Sequence, residues 1–139
     1  MTSATRVTAL RYAMITTGVI FTFCIFPLTQ LWPSGWSWGT GHSHYLPMII
    51  GVYATLGVCL MWASRDPLGN SGLVWFTVWS SVVHALTMAA QAVADPAETG
   101  HLLGDVPALL LVAGVLAVLT PGGARISAVT GDFSSRRVA

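Results

Sequence analysis

Histidines, and one acidic residue near the last of them, are the side chains that could do chemistry here, and they fall in two places. His42 and His44 form an H-x-H pair in a glycine-rich stretch, and His101 and Asp105 stand at i, i+4, a spacing that puts both on one helical face. Imidazole and carboxylate together bind zinc, copper or iron. His42, His44, His101 and Asp105 therefore form a candidate ligand set for a transition metal. Each also has a plainer role: histidine suits a membrane interface, and Asp105 ahead of Pro107 reads as a helix N-cap.

The second place is His84, inside the charge-free run LVWFTVWSSVVHALTMAAQAVA from Leu73 to Ala94. At helical spacing Thr77, Ser80, Ser81, Thr87, Met88 and Gln91 share its side, while Val78, Val82, Ala85, Ala89 and Val93 fall largely opposite. An ionisable group in such a run marks a functional site by default, so His84, Ser80, Ser81, Thr77 and Gln91 form a candidate intramembrane polar site. The plainer reading is a neutral imidazole donating to a hydroxyl of a neighbouring helix and fixing register, with Thr16, Thr17, Thr22, Tyr53 or Thr55 as partner. Three functional readings stand beside it. His84 could be an axial haem ligand, with its second ligand from another helix or subunit. It could line a proton or small-solute path with Ser80, Ser81 and Gln91. Its stripe could also pack against a partner helix of a larger membrane complex.

The elements that must position these residues follow from composition. The 139 residues are 54% hydrophobic and 8% charged, with mean hydropathy +0.70, which places the chain in a bilayer. No formal charge occurs between Arg11 and Arg65, between Asp66 and Asp95, or between Asp105 and Arg125. These gaps hold four apolar segments, 9–31, 45–63, 73–94 and 102–120, each near the ~20 residues that cross a hydrocarbon core. Backbone groups find no water there, so each segment must be helical.

Orientation follows from the basic residues, all of which are arginine. Arg6 and Arg11 flank the first span, Arg65 lies between the second and third, and Arg125, Arg136 and Arg137 follow the fourth. All fall on one side, which the positive-inside rule makes cytoplasmic. Trp32, Trp36 and Trp38 alternate with glycines in the first loop of the opposite side. They are expected to anchor that loop flat on the interface as a lid over the bundle. The short turn Arg65–Ser71 predicts that the second and third helices are antiparallel neighbours.

Prolines refine the spans. Pro27 should bend the first helix, which is read as a retained span and not a cleaved leader. Asp95, Pro96 and Glu98 form a helix-start signal, and the length of the fourth span predicts a helix that begins early and kinks near Pro107. Gly51, Gly57 and Gly114 could allow close helix packing. Cys24 and Cys59, at different depths of antiparallel spans, are expected to be free thiols. The tail 122–139, polar and rich in glycine and serine, is expected to be a mobile cytoplasmic segment beyond a transmembrane domain of residues 1–121.

Several function classes are excluded. The chain has no lysine for a Schiff base, and its net charge of +1 gives no nucleic-acid footprint. It carries no Ser-His-Asp spacing, phosphate-binding glycine loop, C-x-x-C or H-E-x-x-H.

The phrases WPSGWSWGTGHSHYLPMIIGVYATLG, WFTVWSSVVHALTMAAQA and GHLLGDVPALLLVAGVLAVLTP together resemble a family of small bacterial four-helix membrane proteins of unknown function. The resemblance implies one integral-membrane domain and transfers no activity. The expected molecule is thus an all-α, four-helix bundle of a bacterial cytoplasmic membrane, with both termini cytoplasmic. The leading functional expectation is a non-enzymatic subunit or accessory protein of a larger membrane complex, with a membrane-protein partner or a homo-oligomer. A His-dependent metal or haem redox protein and a small-solute or proton transporter are the alternatives.

Overall fold

The computed structural model describes residues 3–37 and 44–121. His42, Trp38 and the tail 122–139 lie outside the described residues. The described chain runs α1 (Ser3–Val19), a π-helical turn (Ile20–Cys24), α2 (Ile25–Leu31), α3 (Pro33–Trp36), α4 (Tyr45–Ala63), α5 (Ser71–Ala94), a 3-10 helix (Pro96–Leu102) and α6 (Asp105–Leu119). Among the described residues, four helical segments are long and apolar enough to cross a membrane: Ser3–Leu31, Tyr45–Ala63, Ser71–Ala94 and Pro96–Leu119. The fold is all-helical, and the protein is a multi-pass membrane protein. Large apolar side chains on the outside, among them Phe23, Phe26, Trp62, Phe76 and Trp79, meet lipid.

Local chemistry explains the breaks in the first span. Pro27 cannot donate to the carbonyl of Phe23, and its ring crowds that carbonyl, which lies inside the π-helical turn. The expected bend is therefore spread over a widened turn.

The fourth span differs from the expected early, kinked helix. The 3-10 helix ends at Leu102, a turn at Leu103 and Gly104 follows, and α6 starts afresh at Asp105 with Pro107 in its first turn. Proline at that position lacks only a donor that the helix would not have used. Asp95 does cap its segment, its carboxylate accepting from the Ala97 N–H at 3.0 Å. Asp105 is not the cap of α6: Gly104 occupies that position, which frees the Asp105 side chain to point elsewhere.

Packing also departs from the expected neighbours. α4 packs chiefly on α1 and the π-helical turn, α5 packs chiefly on α6, and α4 and α5 touch only sparsely although the turn joining them is short. That turn is fixed by Asp66, whose carboxylate accepts from Gly69 N–H and whose carbonyl accepts from the Asn70 side chain, both at 2.8 Å. A tight turn thus joins two helices that separate away from it.

The α1–α4 contact rests on two glycines. A Cβ on Gly18 would lie 2.7 Å from the Gly57 carbonyl, and one on Gly57 would lie 2.6 Å from the Gly18 carbonyl. Close backbone approach of this kind is how helices gain packing energy in lipid. Gly51 and Gly114 have nothing within 4 Å of such a Cβ and make no close approach. Leu10, Met14, Leu60, Val74 and Leu116 are fully buried toward the arginine-bearing end. There Arg11 donates to the carbonyls of Ser64 and Arg65 at 3.0 and 3.2 Å, and Arg6 donates to Val118. These bonds satisfy carbonyls at and just beyond the ends of α4 and α6, where the helix has no donor of its own.

Candidate functional site

At the end away from the arginines, the space left between α4 and α5 is a cavity of about 640 Å³. Its apolar wall includes Ile25, Leu46, Ile49, Ile50, Val83 and Leu109. Polar groups reach it from every side: Tyr53 from α4, Ser80, His84, Thr87 and Gln91 from α5, Asp105 from α6 and Thr29 from α2. Trp36, at the end of α3, and Tyr45, at the start of α4, also line it.

Helical periodicity divides the expected polar stripe of α5. Ser80, His84, Thr87 and Gln91 face the cavity, spaced three or four residues apart. Thr77 and Ser81 do not. They are buried with Val74, Val78, Ala85, Met88 and Ala92 along the packing seam of the helix, and the Thr77 hydroxyl donates to its own helix at Leu73. The seam is wider than an apolar residue count suggests, because a hydroxyl satisfied four residues back packs as a small side chain. The His84 ring meets Tyr53, one of the partners considered for it, edge to face at 5.6 Å between centroids, and Tyr53 in turn meets Phe21 at 4.8 Å.

His101 and Asp105 come together as their spacing predicts. The Nδ1 of His101 lies 2.8 Å from Oδ2 of Asp105 in a fully buried contact, and its Nε2 lies 3.3 Å from Oε2 of Glu98. Both ring nitrogens therefore face carboxylates. His101 sits behind Asp105 and is 0% exposed, whereas Asp105 reaches the cavity. Oδ1 of Asp105 is buried without a hydrogen-bond partner among the described residues.

A backbone clamp holds this group in place. Gly100 and Gly104 lie so close to the carbonyls of Ser34 and Gly35 in α3 that neither could carry a Cβ. α3 thereby covers the 3-10 helix, and Trp36 comes to the cavity beside it. The signal for this contact is in the sequence as G-H-L-L-G, a G-x-x-x-G pair outside the long helices. Glu98 was similarly legible: Glu98, His101 and Asp105 follow one another at i, i+3 and i+7.

Of the four expected metal ligands, His101 and Asp105 meet. His42 lies outside the described residues, and His44 is exposed just before α4. Among the described residues, no three His, Cys, Asp or Glu side chains are grouped as a metal ion would need. Trp32 is exposed and Trp36 lines the cavity, while Trp38 is outside the described residues. Cys24 and Cys59 are free thiols.

A family model described as a family of unknown function (DUF6632) matches residues 4–138. The chain belongs to this family. No curated protein and no solved structure matches it.

Proposed function

We propose that this chain, a member of a family without an assigned activity, takes up a small amphipathic molecule in the cavity between α4 and α5. The observation that carries the reading is the lining itself. Apolar walls surround a few convergent hydrogen-bonding groups, and the volume falls within the ~300–1,000 Å³ of small-molecule sites. Of the expectations drawn from the sequence, the solute-handling one gains most support, because His84, Ser80 and Gln91 share one cavity with Trp36 near its covered end. Attachment to a larger complex and haem ligation draw on no comparable feature. The placement of every arginine supports a cytoplasmic position for the packed end, in a bacterial cytoplasmic membrane, with the cavity on the far side.

Tryptophan fluorescence in lipid nanodiscs tests this, with 4-butylbenzyl alcohol as a neutral amphipathic probe. A saturable change that is lost in Trp36→Phe is expected, and Ile50→Trp, which fills the cavity, should abolish binding. A change that does not saturate, or one equal in Ile50→Trp and in empty nanodiscs, would overturn the reading.

A further inference from the structure

Two hydroxyls on the α5 wall of the cavity have already committed their protons elsewhere. We propose that the ligand is a neutral lipophilic alcohol, its hydroxyl donating to Ser80 or Thr87 and its hydrocarbon part lying against α4. This rests on the cavity being a small-molecule site and names the chemical class it takes.

Hydrogen-bond roles carry the first step. The Ser80 hydroxyl lies 3.2 Å from the Thr77 carbonyl, and that of Thr87 lies 2.9 Å from the Val83 carbonyl, each within the helix. A carbonyl oxygen can only accept, so each hydroxyl must donate to it and has only lone pairs left for the cavity. The Thr29 hydroxyl is committed in the same way, to the Phe26 carbonyl at 2.7 Å. Tyr53, His84 and Gln91 on the same lining can each donate and accept, and the Trp36 indole, near the covered end, donates alone. The lining thus offers more acceptors than donors. A ketone, ether or ester oxygen would leave the Ser80 and Thr87 lone pairs facing hydrocarbon. A hydroxyl donates to one of them and accepts from Tyr53, His84 or Gln91 with the same atom.

Access carries the second step. Ile49 and Val83 line the cavity and are also 42% and 61% exposed, so its walls run on to the lipid-facing surface between α4 and α5. A molecule dissolved in the bilayer can enter through that gap, whereas an ion of either sign would have to be stripped of water along it. Among the described residues no arginine lines the cavity, so a fatty-acid carboxylate would also be buried there without a counter-charge. Ile49 and Ile50 of α4 face α5 across the space and supply the surface for a hydrocarbon body.

The test compares 4-butylbenzyl alcohol with its methyl ether, which keeps the oxygen and loses the proton, by tryptophan fluorescence in nanodiscs of zwitterionic lipid with empty nanodiscs subtracted. Affinities are referred to the probe concentration in the lipid, which cancels the greater lipophilicity of the ether. The wild-type protein should bind the alcohol about 5-fold more tightly, the effect of one neutral hydrogen bond. Ser80→Ala combined with Thr87→Val should bring the ratio close to one while keeping ether binding. Neither change orphans a backbone group, because the carbonyls of Thr77 and Val83 lie within α5 and keep their helical partners. Equal affinities in the wild-type protein, or tighter binding of the ether, would overturn the alcohol assignment and leave the cavity reading standing, whether or not the variant folds. Retention of the full preference in the double variant would also overturn it. Binding of neither probe would remove the cavity reading and this inference together.

Discussion

The two ends of this bundle are built from the same four helices and obey opposite rules. At the arginine-bearing end the fully buried side chains are Leu10, Met14, Leu60, Val74 and Leu116, and helix-end carbonyls are taken up by Arg6 and Arg11. At the other end α4 and α5 part, and the space holds Tyr53, His84, Gln91 and Asp105. The contrast teaches that the packed end fixes the fold so that the open end need not. Polar groups that would be a liability in a core are tolerated where they border a cavity.

Substitutions that treat both ends alike put this division to the test. The largest difference is expected between Leu60→Ala and Ile50→Ala. The first empties a fully buried site and should cost about 2–5 kcal/mol. The second trims a residue that already borders empty space and should cost less than about 1.5 kcal/mol, in the same denaturant titration in detergent. Equal losses would mean that the cavity end contributes to the fold as much as the packed end.

A smaller effect separates two glycines of α4. Gly57→Val forces a side chain against the carbonyl of Gly18 and should destabilise by about 1–3 kcal/mol, whereas Gly51→Val has open space and should be nearly neutral. Thermal unfolding of both variants in one detergent reads the difference. The smallest effect is expected for Arg11→Gln, about 1 kcal/mol, because its bonds to Ser64 and Arg65 are partly solvent-exposed. Arg11→Gln should leave probe binding at the cavity unchanged. A shift in probe affinity would show that the two ends are coupled.

Much of the architecture was legible because charge and proline punctuate the chain. The second span matches its expected limits, Tyr45–Ala63, and the third extends by two residues to Ser71, since both are bounded by turn formers and charges. The fourth span does begin early, at Pro96, but the 3-10 helix and a turn supply that length in place of a continuous, kinked α-helix. For the site, periodicity put His84 with Ser80 and Gln91, and His101 with Asp105. It could not say which neighbour each face meets. That is why Thr77 and Ser81 joined the seam, and why the separation of α4 from α5 was hidden by the short turn between them. Gly18, the partner of Gly57, carries no signal in the sequence for the same reason: a single glycine shows its purpose only against the helix that crosses it.

The bond from Arg6 to the Val118 carbonyl spans 112 positions, nearly the whole described chain. During synthesis at about 5–20 residues per second, the acceptor emerges on the order of ten seconds after the donor. The Arg6 side chain therefore cannot make this contact until α6 has been synthesised. The contact of α1 with α6 thus forms after the helices between them are already made.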